Sequence, residues 1–228
     1  MMRRVGVLGG MGPEATILIM QKILTRVRAA DDADHIPLIV DQNPQVPSRI
    51  RHLIEGTGED PGPVLADMAR RLVAAGAEAL AMPCNTAHYY APTIRAAVTV
   101  PFLDMVEVSV AHAAALVGQN TSIGILASPA VRKVGLFDIQ LSKLGLTGLY
   151  ASDEPAMLAA IRQIKAKGPQ PEARQILRAA SDDLLARGAV VQMIACTEFS
   201  LIADAVAEGA TTFDTLDQLV QAILSFAA

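Results

Sequence analysis

Tryptophan is absent from the 228 residues, and the aromatic share is only 4%. Hydrophobic residues still make up 52% of the chain, so the core has to be built from Ala, Val, Leu and Ile. Such a core suits parallel strands covered by helices better than an aromatic-rich β-sandwich. Positive charge is scarce too: 19 Lys and Arg against 23 Asp and Glu leave a net charge of −4 with no basic stripe, which argues against nucleic-acid binding. No apolar run approaches a membrane span, and residues 1–4 meet a glycine-rich turn too soon to form a signal peptide. The expectation is a cytoplasmic protein with neither a membrane nor a nucleic-acid partner. Only two cysteines and four scattered histidines are present, which offer no metal-site spacing, and a structural disulfide does not suit a reducing compartment. That leaves two inert thiols or two reactive ones, and inert burial is the commoner fate of free cysteine.

What is present alternates strands with helices. Arg4-Val-Gly-Val-Leu8 reads as a strand, followed by the loop Gly9-Gly-Met-Gly-Pro13 and a helix with Pro13 in its first turn. A strand over 36–41 leads to the loop Asn43-Pro-Gln-Val-Pro-Ser-Arg49, and a helix over 64–75 is closed by Gly76. A buried strand over 78–82 runs into Pro83-Cys-Asn-Thr-Ala-His88, with a helix to about 98 and a short strand over 100–103. The pattern then restarts: helix 106–117, strands 122–126 and 146–150, and helices 156–166 and 172–187. A strand over 190–195 follows, entering Cys196-Thr-Glu-Phe-Ser200, and then a short strand at 211–213 and a helix over 216–226. Val5-Gly-Val-Leu-Gly9 has a counterpart in Ile123-Gly-Ile-Leu-Ala127, 118 positions on, and Cys84-Asn-Thr86 one in Cys196-Thr-Glu198, 112 positions on. The fold expected is therefore α/β: two pseudo-symmetric, parallel, flavodoxin-like domains with the active site in the cleft between them. Residues 1–103 plus 211–228 would form the first, which carries Cys84, and 104–210 the second, which carries Cys196.

Ligands of open α/β sheets bind outside the carboxyl ends of the strands, where both cysteines fall on this reading, each opening a helix whose N-terminus would lower its thiol pKa. An inert cysteine has no reason to recur at one point of both halves. Two thiols facing one another suit the removal of a proton from a chiral carbon and its return on the other side, a thiolate acting as base and a thiol as acid. Asn85, Thr86 and Thr197, with nearby backbone N–H groups, are candidate donors to the substrate carboxylate, although ordinary helix capping explains the same residue types. The glycine loop lacks both the G-x-G-x-x-G spacing and a P-loop Lys-Ser/Thr, so a nucleotide reading is weak. As a substrate-facing loop it would put Met11 in the pocket. His88 fits a packing or capping role better than that of a base for Cys84.

Together, Gly9-Gly-Met-Gly-Pro-Glu-Ala-Thr16, Asn43-Pro-Gln-Val-Pro-Ser-Arg49, Met82-Pro-Cys-Asn-Thr-Ala-His88 and Ala195-Cys-Thr-Glu198 resemble the aspartate/glutamate racemases that work without pyridoxal phosphate. The first loop and Glu198 look like the aspartate branch. The resemblance runs through the whole chain and implies an isomerase with no cofactor, a small acidic amino-acid substrate and a homodimer. It implies Cys84 and Cys196 as the two acid/base residues and Arg49 as the holder of the substrate side-chain carboxylate, for which a bidentate guanidinium pair is the physical reason. A lysine before a glycine matches Lys165, with Lys167 close by. Glu198 would orient the substrate amine, raise the basicity of Cys196, or sit as a carboxylate at a helix start. Ala195 stands where the family has glycine, and its methyl is expected to narrow the pocket or shift the second thiol. Glutamate, hydantoins and maleate are alternative substrates; a malonate decarboxylase would need one cysteine only. A binding protein that has lost turnover and a thiol redox switch are the readings from other classes.

Overall fold

A computed structural model describes residues 2–228. Its strands and helices run, in order, β1 Val5–Gly9, α1 Pro13–Arg26, β2 Leu38–Gln42, α2 Gly62–Ala74, β3 Ala79–Ala81, α3 Ala91–Ala97, β4 Phe102–Leu103 and α4 Met105–Leu116. They continue with β5 Ser122–Ala127, α5 Pro129–Lys133, α6 Asp138–Lys143, β6 Thr147–Tyr150, α7 Glu154–Lys167, α8 Pro171–Ala186, β7 Val191–Ala195, α9 Thr197–Ser200, β8 Thr211–Asp214 and α10 Thr215–Ala227. The strands form two four-stranded parallel sheets of matching order, β2-β1-β3-β4 and β6-β5-β7-β8. The α/β class and the two parallel sheets are as expected.

The chain divides into two units, one running to Met105 and resuming at Leu216, the other Val106–Thr215. The expected boundary at residue 211 needs correcting. β8 pairs with β7 along Val191–Ile194, so the strand over 211–214 completes the second sheet and only α10 returns to the first unit. Each sheet is covered on both faces, as all-parallel sheets must be. In the first unit, α2 and α3 bring Leu65, Met68, Leu72 and Ile94 to one face; α1 and α10 bring Ile19, Ile23, Leu216, Leu219, Val220 and Ile223 to the other. In the second, α7 and α8 cover one face and α4, α5 and α6 the other. The helix after each fourth strand therefore packs on the sheet of the other unit.

The repeat extends into the packing. A Cβ on Gly6 of β1 would meet the side chains of Leu80, Ala77 and Leu72; one on Gly124 of β5 would meet those of Gln192, Ala189 and Leu184. The contacted positions of the second set lie 112 residues beyond those of the first, the spacing of the two cysteines. Helix lengths depart from expectation where proline intervenes. The segment after Cys84 is a 3₁₀ turn, Thr86–Tyr90, and the α-helix begins only at Ala91, with Pro92 in its first turn, because proline fits a helix start and not its interior. The short helices α5 and α6 and a π-helical turn at Arg51–Glu55 have no counterpart in the hydrophobic pattern.

Candidate active site

In the first unit, three chain segments supply the candidate residues. β1 ends in a loop where Gly10 adopts φ +92 and a Cβ would fall 2.3 Å from the Asn43 backbone carbon, so only glycine lets this loop lie against the one after β2. The Gly10 N–H donates to Thr16 Oγ1 (2.9 Å), and the Asn43 N–H to the Gly9 carbonyl. Met11 is thereby buried in one apolar cluster with Val46, Cys84 and Tyr90. Arg49, beyond the second loop, donates from Nη1 to the carbonyls of Val46 (3.3 Å) and Pro47 (3.0 Å). No acidic side chain pairs with Arg49 among the described residues.

Cys84 lies just past β3, buried, its N–H donating to the Met82 carbonyl (2.9 Å) across Pro83. His88 fixes this turn. Its Nε2 lies 3.0 Å from the Met105 backbone N–H, which can only donate, so Nε2 is the acceptor nitrogen and Nδ1 carries the proton given to the Cys84 carbonyl (2.9 Å). His88 is therefore neutral, and its 3.9 Å approach to Asp104 is no ion pair; Asp104 is paired with Arg95 at 3.0 Å. Thus His88 braces the backbone of Cys84. Asn85 and Thr86 follow directly, Asn85 buried.

Tyr90, which the sequence reading passed over, belongs to this neighbourhood. It is buried, its ring 6.1 Å from that of His52 and 5.1 Å from that of Tyr89. Burial pushes its phenol pKa up, assisted by Asp60, Tyr89 and Cys84 and opposed by Arg49. Its hydroxyl has no hydrogen-bond partner among the described residues.

In the second unit, Cys196 ends β7 and caps α9. Its Sγ–H donates to Glu198 Oε2 (3.1 Å), and the other carboxylate oxygen meets Lys165 Nζ at 3.1 Å. Lys165, Glu198 and Cys196 so form one line of contacts, with Thr197 buried beside them; Lys167 is exposed on the last turn of α7. The expected lowering of the thiol pKa by a helix N-terminus is reversed here. Burial raises the Cys196 pKa well above the ordinary thiol value, reinforced by the Glu198 charge and hydrogen bond, while Lys165 and the Glu198 backbone N–H only partly oppose this. A four-residue helix carries too small a dipole to compete with a carboxylate in contact. Ala195 is also not where the sequence suggested. Side chains alternate along a strand: Ile194 and Cys196 face the α7/α8 layer and Ala195 the α4/α5/α6 layer, so its methyl points away from the thiol. Below the site, Ser200 Oγ donates to Asp214 Oδ1 (2.9 Å) and Thr215 Oγ1 to the Ile194 carbonyl (3.0 Å), tying the ends of β7 and β8.

Each thiol therefore follows the third strand of a sheet with the same strand order. Residues 8–223 match the profile of the Asp/Glu/Hydantoin racemase family. The chain belongs to that family. It is accordingly an isomerase of the racemase kind. A Picrophilus torridus aspartate racemase superposes with a TM-score of 0.85 at 23% identity, covering 99% of this chain and 94% of that one. A putative Asp/Glu racemase from Yersinia pestis gives 0.77 at 22% identity, with 99% of each chain covered. The broad specificity amino-acid racemase RacX of Bacillus subtilis (strain 168) is 31% identical over 107 residues, 45% of this chain; the match spans about half of that relative, 46% of its length. No helix among the described residues is long and apolar enough to cross a membrane.

Proposed function

We propose that this racemase interconverts the enantiomers of a small acidic amino acid, aspartate first among them, with Cys84 and Cys196 as its two acid/base groups and no cofactor. The observation that carries the reading is the equivalence of the thiols: each is buried at the carboxyl end of the third strand of an identically ordered sheet, the end at which such sheets bind ligands. In one direction a Cys84 thiolate takes the α-proton, breaking the Cα–H bond and leaving its electron pair delocalised into the α-carboxylate. The Cys196 thiol then gives its proton to the opposite face of Cα. The reverse reaction exchanges the roles, and the enzyme ends each cycle with the proton on the other sulfur.

The held state of Cys196 suits that cycle. Burial and Glu198 favour the protonated thiol, the form needed for donation. In the reverse direction the proton starts on Cys84 and Cys196 starts as the thiolate, which the neighbouring Glu198 carboxylate makes a stronger base. Lys165 on the far oxygen balances the carboxylate charge. Arg49 serves as the counter-charge for the side-chain carboxylate, Asn85, Thr86 and Thr197 as donors at the strand ends, and Met11 as an apolar wall. General acid–base groups of this kind contribute roughly 10²–10⁴-fold each.

The test is incubation with L-aspartate in D₂O. Expected is D-aspartate carrying deuterium at Cα, lost in both Cys84→Ala and Cys196→Ala. An enzyme that exchanges no acidic amino acid would refute the substrate class. Racemisation that survives loss of one cysteine would refute the two-thiol scheme.

A further inference from the structure

The chain contains two buried tyrosines in comparable settings, and only one has its hydroxyl satisfied. Tyr150, in the second unit, donates to Asp138 Oδ2 at 2.6 Å. Tyr90, only 4% exposed, makes no hydrogen bond through its hydroxyl among the described residues. Phenylalanine would fill the same space without hiding a polar group from water, and buried hydroxyls are otherwise almost always partnered. Ser109 Oγ is also unpartnered among the described residues, so what sets Tyr90 apart is the cation that acts on it.

The surroundings say what partner would suit it. Tyr90 belongs to the apolar cluster that holds Met11, Val46 and Cys84 as well as Leu65, Met68 and Ile94 of the core, and both Arg49 and Cys84 act on it electrostatically. Arg49, the cation, is anchored to the carbonyls of Val46 and Pro47. Asp60, the carboxylate that acts on it, is exposed and accepts the Gly62 N–H at 2.8 Å, so it is no partner for the hydroxyl. A donor beside an arginine that has no carboxylate partner among the described residues is a receptor for a carboxylate.

We infer that the Tyr90 hydroxyl is a substrate-binding donor, giving a hydrogen bond to the same substrate carboxylate that Arg49 holds. The inference rests on the acidic-substrate reading above. Its phenol keeps its proton across the working range, so it presents a donor at every pH at which the enzyme operates. An O–H donor to a carboxylate oxygen makes a short, charge-assisted bond. The contact reads the carboxylate and leaves the proton transfer alone, so it acts on substrate binding.

The test is Tyr90→Phe, which removes one oxygen atom. Two measurements are made beside wild type: steady-state racemisation of aspartate, and calorimetric binding of succinate as a dicarboxylate probe. KM for aspartate and Kd for succinate are expected to rise about tenfold, with kcat within about threefold and the apo melting temperature unchanged or raised. A purely structural tyrosine would instead lower the melting temperature and leave KM and Kd in place, which would overturn the assignment. A large fall in kcat at constant KM would overturn it as well, by putting Tyr90 in the proton transfer. If wild type turns over aspartate and both proteins bind succinate equally, the Tyr90 assignment alone falls. A wild type that exchanges no acidic amino acid removes the underlying reading and this inference together.

Discussion

Arg49→Leu is the substitution that bears most directly on substrate choice, and the structure sets its size. Both N–H groups of Nη1 are directed at the loop carbonyls of Val46 and Pro47, at 3.3 and 3.0 Å. That leaves the Nε and Nη2 edge of the guanidinium for a ligand, the edge with which Arg71 holds Asp41 in the same unit, at 3.1 and 2.6 Å. A hydrogen bond to a charged group is worth about 1.5–3 kcal/mol net. Two of them, in a loop that is partly hydrated, amount to roughly 3–4 kcal/mol, or about 10²–10³-fold in kcat/KM at 1.36 kcal/mol per decade. Asparagine, of equal length without the charge, should lose less than tenfold. The fold should barely register the change: water replaces the guanidinium at two carbonyls of a surface loop, at a cost of about 1 kcal/mol or less. Chiral chromatography of both amino acids with wild-type and variant enzyme, beside thermal melts, decides the matter. Equal losses for aspartate and asparagine would show that Arg49 does not read the side chain, and a loss that tracks a fall in melting temperature would reduce it to a loop anchor.

Two further predictions follow from the second unit. The raised pKa of Cys196 means that the unfolded chain ionises this thiol first as pH rises, so its contribution to stability is complete below the ordinary thiol pKa and is lost from there up to the folded-state value; Cys196→Ala should flatten the alkaline decline in a series of urea melts, and an unchanged slope would refute the assignment. Gln192, wholly buried, takes a hydrogen bond from Ser181 Oγ (2.6 Å) and gives two, to the carbonyls of Ser181 (3.0 Å) and Ala189 (3.1 Å). Gln192→Leu should therefore cost about 2–3 kcal/mol by orphaning these groups, and pairing it with Ser181→Ala should cost less than the sum by about 1 kcal/mol; strict additivity in denaturant melts would show that the two do not form one network.

Local pattern made much of the scaffold legible. The order of strands and helices follows from apolar runs closed by Gly76 and Gly188, both at positive φ, and the recurrence of Cys84 and Cys196 at strand ends follows from simple counting. What failed to show depends on partners far away in sequence. Nothing in Thr211–Asp214 says that its neighbour is β7, and the strand was accordingly expected in the wrong unit. The repeat of Leu72, Ala77 and Leu80 in Leu184, Ala189 and Gln192 is hidden from a hydrophobic pattern because a glutamine closes it, tolerable only once Ser181 is found opposite. Tyr90 could not have been singled out, since an unmet hydroxyl is a property of its surroundings. The thiol pKa failed for the converse reason: a helix start can be read from sequence, but the burial and the carboxylate that outweigh it arrive with the fold.

The two halves share their framework but not their charges, and the difference bears on how one scaffold can serve both hands of a substrate. Proton transfer on the two faces of Cα demands like groups, which two thiols at equivalent strand ends supply. Binding demands the opposite, because an amino acid carries different groups on either side of the carbon. The Cys84 neighbourhood has an arginine with no carboxylate partner among the described residues and a buried phenol; that of Cys196 has a carboxylate hydrogen-bonded to the sulfur and balanced by a lysine. On the proposed chemistry, the first set receives a substrate carboxylate and the second manages the proton of Cys196. Duplication of a half then accounts for the acid/base pair, and divergence around it for the orientation of the substrate. Glu198 is the residue on which the division turns, because the matching position in the first half is Thr86, which has no charge to offer the sulfur.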